Sequence, residues 1–388
     1  MQPRWILESA SACGSIGLAL GACGMRPAAA PAPSDRIAIV AAERGPEGAR
    51  LVSIDEHGDR QFELVQPAAA HVRDTHPAVS PDGHWIVFAS TRDRAFDETS
   101  LWIAAAGVAM PPHRLTEGKA IASHGSAGAR STPGGSAEWI DSHPAWTPDG
   151  SAIVFASTRA AGNFDLWRLA IDHGQPGPLV QLTSAPGHEV TPTVAADGTI
   201  IYASVTPNEQ RHDIETHLEQ RDPDGTIRRL TSGPADSSPA LSPDGARLVF
   251  ARPQLHGGSP DSELWQMVRR TEAIAPLVDL PLTHESGPVW SHDGRFVFAT
   301  SVLRGEEDRV VFSSVIYVDT KEAPPTARIL EDRVGAIPRF TPALTQLPLD
   351  VAALRSNPEY LAELAHIMRR VIEQQTDAPP GSAGGGAP

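Results

Sequence analysis

Short, uninterrupted apolar runs recur along the middle of the chain, each entered through a turn. They read Trp85-Ile86-Val87-Phe88-Ala89-Ser90, Ala152-Ile153-Val154-Phe155-Ala156-Ser157, Ile200-Ile201-Tyr202-Ala203-Ser204, Leu248-Val249-Phe250-Ala251 and Phe296-Val297-Phe298-Ala299. None alternates apolar with polar, so neither face of such a strand meets water. A strand held between two neighbouring sheets satisfies that pattern. After each run a second short apolar group follows, such as Leu101-Trp102-Ile103, Asp165-Leu166-Trp167 and Glu263-Leu264-Trp265. The group after that ends in Leu-Thr at 115–116, 182–183, 230–231 and 282–283.

The turn before each run repeats too. Pro77-Ala78-Val79-Ser80-Pro81-Asp82-Gly83 returns as Pro144–Gly150 and Pro239–Gly245, and more loosely as Pro192–Gly198 and Pro288–Gly294. A period near 48 residues with four short strands per unit predicts propeller blades. The first interval, 67 residues, carries an insertion of about 19 residues over that period. Residues 36–65 supply strands two to four of a further blade. Pro338-Arg339-Phe340-Thr341-Pro342 supplies the missing first strand from the other end. The sequence therefore predicts an all-β, six-bladed β-propeller over 36–343, closed by a C-terminal strand so that no sheet edge stays open. The run Pro-x-x-Ser-Pro-Asp-Gly-x-x-Ile-x-Phe-x-Ser-x-Arg, then Asp-Leu-Trp, then Leu-Thr, resembles the WD40-like repeat of TolB-type propellers. The blades start directly after an N-terminal tether, so the α/β domain that precedes the propeller in TolB is expected to be absent. Blade four departs from the pattern, with Asp213-Ile214-Glu215 where Asp-Leu-Trp is expected.

The flanks carry other signals. Residues 1–23 read as a lipoprotein signal peptide, an apolar stretch ending in Leu20-Gly21-Ala22-Cys23, with Cys23 as the lipid attachment site. Residues 24–35, rich in Ala and Pro, read as a tether. In the extension 344–376, a helix is expected over 356–376, with Asn357 as cap, Pro358 at the first turn and Leu361, Leu364, Met368 and Val371 on one face. Residues 377–388 read as a disordered tail. The chain has only two cysteines, Cys13 and Cys23, so a disulfide framework or a cysteine-ligated zinc in the propeller is excluded. A net charge of −15 argues against a nucleic-acid partner.

Candidate chemistry collects at one mouth of the channel. Three residues before each strand-opening proline stands a carboxylate: Asp74, Asp141, Glu189, Asp236 and Glu285, with Gly335 at the place taken from the closing strand. Such groups either bond neighbouring loop amides or form an acidic mouth for a cation or a basic group. Asp74-x-His76 and Asp141-x-His143 fall in adjacent blades. Residues two apart share a strand face, so these four are a candidate site for a divalent metal, with buried, backbone-bonded histidines as the plainer reading. His188 beside Glu189 is a weaker contributor. The longer loops on this face, at 92–99, 117–140, 159–163, 205–212, 253–262 and 304–309, are where function is expected.

The resemblance implies a protein-binding module with an envelope protein as partner; with the Cys23 anchor this reads as a periplasm-facing lipoprotein of the cell envelope, and Gly24, which is no acidic retention signal, points to the outer membrane. The alternatives are a metal-dependent polysaccharide lyase-like enzyme at the mouth and a structural part of an envelope assembly. A prolyl-oligopeptidase-like protease is set aside, because no Gly-x-Ser-x-Gly elbow occurs.

Overall fold

The computed structural model describes residues 39–346, apart from 46–47, 55–59, 64, 66–70, 93–97, 107–110, 117–138, 209–212, 234, 257–258, 279, 281–282, 305–309 and 330–338. The signal segment with Cys23, the tether, most of the 117–140 insertion, Gly335 and the expected helix at 356–376 lie outside the described residues.

Among the described residues, twenty-four strands make six four-stranded blades. Blade one joins β1 (Ile39–Gly45), β2 (Gly48–Ile54) and β3 (Arg60–Glu63) to the closing strand β24 (Arg339–Gln346). Blade two is β4 (Asp74–Val79), β5 (Trp85–Ser90), β6 (Ser100–Ala105) and β7 (His113–Arg114). Blade three is β8 (Asp141–Trp146), β9 (Ala152–Ser157), β10 (Asp165–Asp172) and β11 (Gln175–Gln181). Blade four is β12 (His188–Val194), β13 (Ile200–Asn208), β14 (Asp213–Arg221) and β15 (Ile227–Arg229). Blade five is β16 (Ser237–Leu241), β17 (Arg247–His256), β18 (Ser259–Val268) and β19 (Ala273–Val278). Blade six is β20 (Thr283–Trp290), β21 (Phe296–Arg304), β22 (Val310–Asp319) and β23 (Ala327–Ile329).

The inner strands β24, β4, β8, β12, β16 and β20 pack side by side and close the ring. Between every pair of neighbouring blades lies a separate apolar core. Val40, Ala42 and Leu51 of blade one meet Ile86, Phe88 and Trp102 of blade two. Val87 and Ala89, on the other face of the same strand β5, meet Ile153 and Phe155 of blade three. The remaining four interfaces repeat the arrangement, the last joining Phe298 and Val315 of blade six to Ile39, Ala41 and Val52 of blade one. A second strand that contributes to two cores must be apolar on both faces, which is why the runs do not alternate. Trp146 and Trp290 add polar stitches, each indole N–H donating to the carbonyl of the preceding blade's inner strand, Ala78 (3.0 Å) and Ala240 (3.1 Å).

The Pro-Asp-Gly turns are structural. In β4–β5 the Asp82 carboxylate accepts from the Ser80 hydroxyl and the His84 amide, while Gly83 takes φ +73°. Gly150, Gly198, Gly245 and Gly294 adopt the same left-handed turn. The Leu-Thr ends are structural as well. The hydroxyls of Thr116, Thr183 and Thr231 accept from the amides of Leu101, Leu166 and Leu218 on the third strand of their own blade.

Two register readings need correction. In blade four, Leu218 occupies the place of Leu166, since each pairs with the alanine of the second strand, Ala203 and Ala156. His217-Leu218-Glu219 is thus the counterpart of Asp-Leu-Trp, and Asp213-Ile214-Glu215 lies four residues further up an extended strand. In the closing strand, the break in register falls between Phe340 and Leu344, opposite Ala42. Ala42 pairs with Leu51 as Ala89 does with Leu101, so Glu43 corresponds to Ser90, and its partner Phe340, not Gly335, stands at the ring position of the carboxylates.

Candidate functional site: the strand-start mouth

Each inner strand is broken at one place. Register slips between Thr75 and Ala78, Ser142 and Ala145, Val190 and Thr193, Ser237 and Ala240, and Ser286 and Val289. The residue before the strand's proline takes a left-handed conformation in every case: His76 φ 50°, His143 50°, Thr191 52°, Ser238 52° and Gly287 60°. Such conformations are rare outside glycine. A proline behind them cannot donate to the ladder, so the bulge ends pairing locally.

The bulge separates groups that spacing alone would place together. Asp74 and Asp141 turn into the blade, whereas His76 and His143 leave it and meet each other, ring centroids 4.0 Å apart and planes tilted by 52°. The rule that residues two apart share a face holds for a continuous ladder and fails across the bulge. Each imidazole Nδ1 is held by the hydroxyl just before it, Thr75 Oγ1 at 3.1 Å and Ser142 Oγ at 2.7 Å, not by backbone. Burial lowers the His76 pKa to about 4, and burial together with His76 lowers that of His143 well below the ordinary value, so both rings are neutral at pH 7.

All five carboxylates are buried and fall into two kinds. Three are aspartates bonded to an arginine of their own blade. Arg92 reaches Asp74 (Nη2 to Oδ2, 2.6 Å), Arg159 reaches both oxygens of Asp141 (2.6 and 2.7 Å), and Arg252 reaches both of Asp236 (2.6 and 2.8 Å). The arginines stack on aromatic rings, Arg159 on Trp139, Phe155 and Trp167 at 5.2–5.3 Å. The other two are glutamates in blades that carry Thr206 or Leu303 where Arg92 and Arg159 stand. Glu189 accepts from Thr183 (3.0 Å) and Glu285 from Ser301 (2.9 Å). The second oxygen of each, Glu189 Oε1 and Glu285 Oε2, is buried with no hydrogen-bond partner among the described residues. Burial raises Glu189 to about 8, helped by Asp165, and Glu285 to about 7, helped by Asp261 and Glu263. Asp165 is itself raised to about 6 by burial.

The expected four-residue metal set is therefore divided. Its imidazoles meet, while its carboxylates are committed to Arg92 and Arg159. Among the described residues no group of three or more His, Cys, Asp or Glu side chains is disposed around a common cation position. Glu189, Asp236 and Glu285 stand at the same rim as inward-turned groups of the blades, not as an exposed acidic lining. His188, beside Glu189, accepts from the Phe164 amide at 3.2 Å.

Above this rim the molecule is asymmetric. In blades four to six the second and third strands run nine or ten residues, against six to eight in blades two and three. The described parts of two expected loops, 205–208 of 205–212 and 253–256 with 259–262 of 253–262, are strand, and strands flank the third expected loop at 304–309. Their hairpins are ladders reaching Asn208↔Asp213, His256↔Ser259 and Arg304↔Val310. Ile214, near the tip of the first, is 66% exposed. The blades are also laced at this face by parallel bridges between a third strand and the next inner strand: Ala49↔Arg73, Thr99↔Ile140, Thr216↔Ala235 and Ser262↔His284.

No family model and no curated protein matches the sequence. Solved structures do. TolB from Acinetobacter baumannii superposes with a TM-score of 0.51 at 18% identity, over 80% of this chain and 65% of that one. A TolB from Agrobacterium tumefaciens gives 0.50 at 17%, over 76% and 88%. Hydrazine synthase from Kuenenia stuttgartiensis gives 0.56 at 13%, over 82% of this chain but 47% of that one. The chain thus spans about two thirds of the Acinetobacter TolB and half of the hydrazine synthase. Together with the six laced blades and the closing strand, these likenesses establish the fold: the chain is built as a TolB-like six-bladed β-propeller.

Proposed function

We propose that this protein is a binding module whose strand-start mouth docks a protein partner of the cell envelope. The observation that carries the reading is the raised wall of three hairpins from blades four to six, with Ile214 exposed at its rim. Ordered hairpins on a rigid ring offer a preformed surface, and an exposed aliphatic group at such a rim is suited to a partner's apolar patch. The ionisable groups beneath are consumed internally by arginines and hydroxyls, which suits a scaffold better than a reaction centre. The Cys23 lipobox would tether the module to a membrane, with the outer membrane and the periplasm as its place.

The docking reading is tested by placing a photo-crosslinking amino acid at Ile214 and, as controls, at Val180 and Ile227 on outer strands. Discrete adducts from Ile214 alone support it. Adducts from all three positions, or from none, refute it. Anchoring is read separately, from labelled palmitate incorporated by the wild type and lost in Cys23→Ser.

A further inference from the structure

We propose that His76 and His143 together bind one late-transition divalent cation, such as Ni2+ or Zn2+, at the inner rim of the channel. The inference stands independently of partner docking. It uses the two imidazoles alone, without Asp74 and Asp141.

Three features of the pair suit a metal. The rings are oriented in advance, because each sits on a bulge with a fixed left-handed backbone and each Nδ1 is tied to a hydroxyl. A ligating histidine is ordinarily fixed in this way through its second nitrogen. Among the described residues the Nε2 atoms make no hydrogen bond, so they are the nitrogens left to ligate. The spacing is also suitable. Two nitrogens each 2.0–2.1 Å from one ion lie ~3 to 4 Å apart, a span that rings with centroids at 4.0 Å can meet. The 52° tilt keeps the rings from stacking face to face.

The rest of the wall is polar. Thr191 holds the same bulge position in the next blade, and its Oγ1 is buried without a partner among the described residues. Ser238 follows in blade five. These hydroxyls are suited to waters completing the coordination shell, as imidazole-rich sites for nickel and zinc often require.

The test uses the full chain and Ni2+ by equilibrium dialysis at pH 7.0, beside His76→Gln, His143→Gln, the double variant and His173→Gln. His173 is an exposed histidine whose side chain is 66% accessible. Expected is one tightly held Ni2+ per chain that survives His173→Gln, weakens at least tenfold in each single variant and disappears in the double. A double variant that still holds the ion overturns the proposal. Should the variants fold poorly, 15N-histidine spectra of the wild type with Zn2+ decide the same point. Two Nε2 resonances must move together at one equivalent, and their failure to do so refutes the site.

Discussion

Glu285 allows the electrostatics of the ring to be tested with one isosteric change, Glu285→Gln. Its carboxyl is fully buried, accepts one hydrogen bond from Ser301 and leaves Oε2 unpartnered. The folded-state pKa is about 7 against an ordinary 4.5, through burial and the neighbouring Asp261 and Glu263. Between those values the folded protein binds the proton more tightly than the unfolded chain. Stability therefore falls as pH rises from about 4.5 through 7, the reverse of a salt-bridged aspartate. At 1.36 kcal/mol per unit the charged carboxylate costs about 3 kcal/mol above pH 7. Glu285→Gln should thus be nearly neutral at pH 4.5 and stabilising by up to about 3 kcal/mol at pH 8. Urea unfolding of both proteins at pH 4.5, 6, 7 and 8 measures the difference. A gain that does not grow with pH, or a loss at pH 8, would refute the reasoning and show that Glu285 is solvated or paired as an anion.

The paired blades should behave in the opposite way. Arg159→Met strands the buried Asp141 and should cost about 3–5 kcal/mol in urea at pH 7, whereas Arg228→Met, in an exposed pair with Glu272, should cost under ~1 kcal/mol. Equal costs would mean that burial does not set the strength of the pair. Phe250→Ala opens a void in the core between blades four and five and should lose about 3–5 kcal/mol, read as a lower urea midpoint. Gly150→Ala, at φ +71°, should lose about 1–2 kcal/mol, while Gly177→Ala, with no such backbone demand, tests the space beside Ala170 instead. Ending the chain at residue 338 removes β24 and opens the edge of β1. It should convert a monodisperse peak in size-exclusion chromatography into larger species.

The blades were legible because their signals are local. A Pro-Asp-Gly turn states its own geometry, and a run such as Ile153-Val154-Phe155 can be satisfied only between two sheets. What was not legible depended on pairing. The bulge at His76 and His143 shows in a sequence only as a residue before proline, and it separated the imidazoles from the carboxylates that spacing had grouped with them. The Ser-x-Arg after the second strand was visible as part of the repeat. Its meaning, an arginine for the buried aspartate of blades two and three, needed the antiparallel register that brings residues such as 141 and 159 together. The motif is lost in blades four and six, where the aspartate becomes a glutamate, while in blade five Arg252 takes the place of the serine and still reaches Asp236. Closing-strand register was misplaced because β24 lacks the Pro-Asp-Gly landmark.

The pairing of β24 with β1 joins Ile39 to Gln346, the two ends of the described chain. Contacts of such long sequence separation form late, because the intervening chain must first be ordered. Five blades can therefore assemble from neighbours in sequence while the first remains a three-stranded remnant with a bare edge. Until the last strand arrives, that edge is a place for a chaperone, or for another copy's β24, to add itself. The seam that makes the ring rigid is thus also its window of vulnerability during synthesis, and dilution during refolding should favour the self-closed monomer over exchanged dimers.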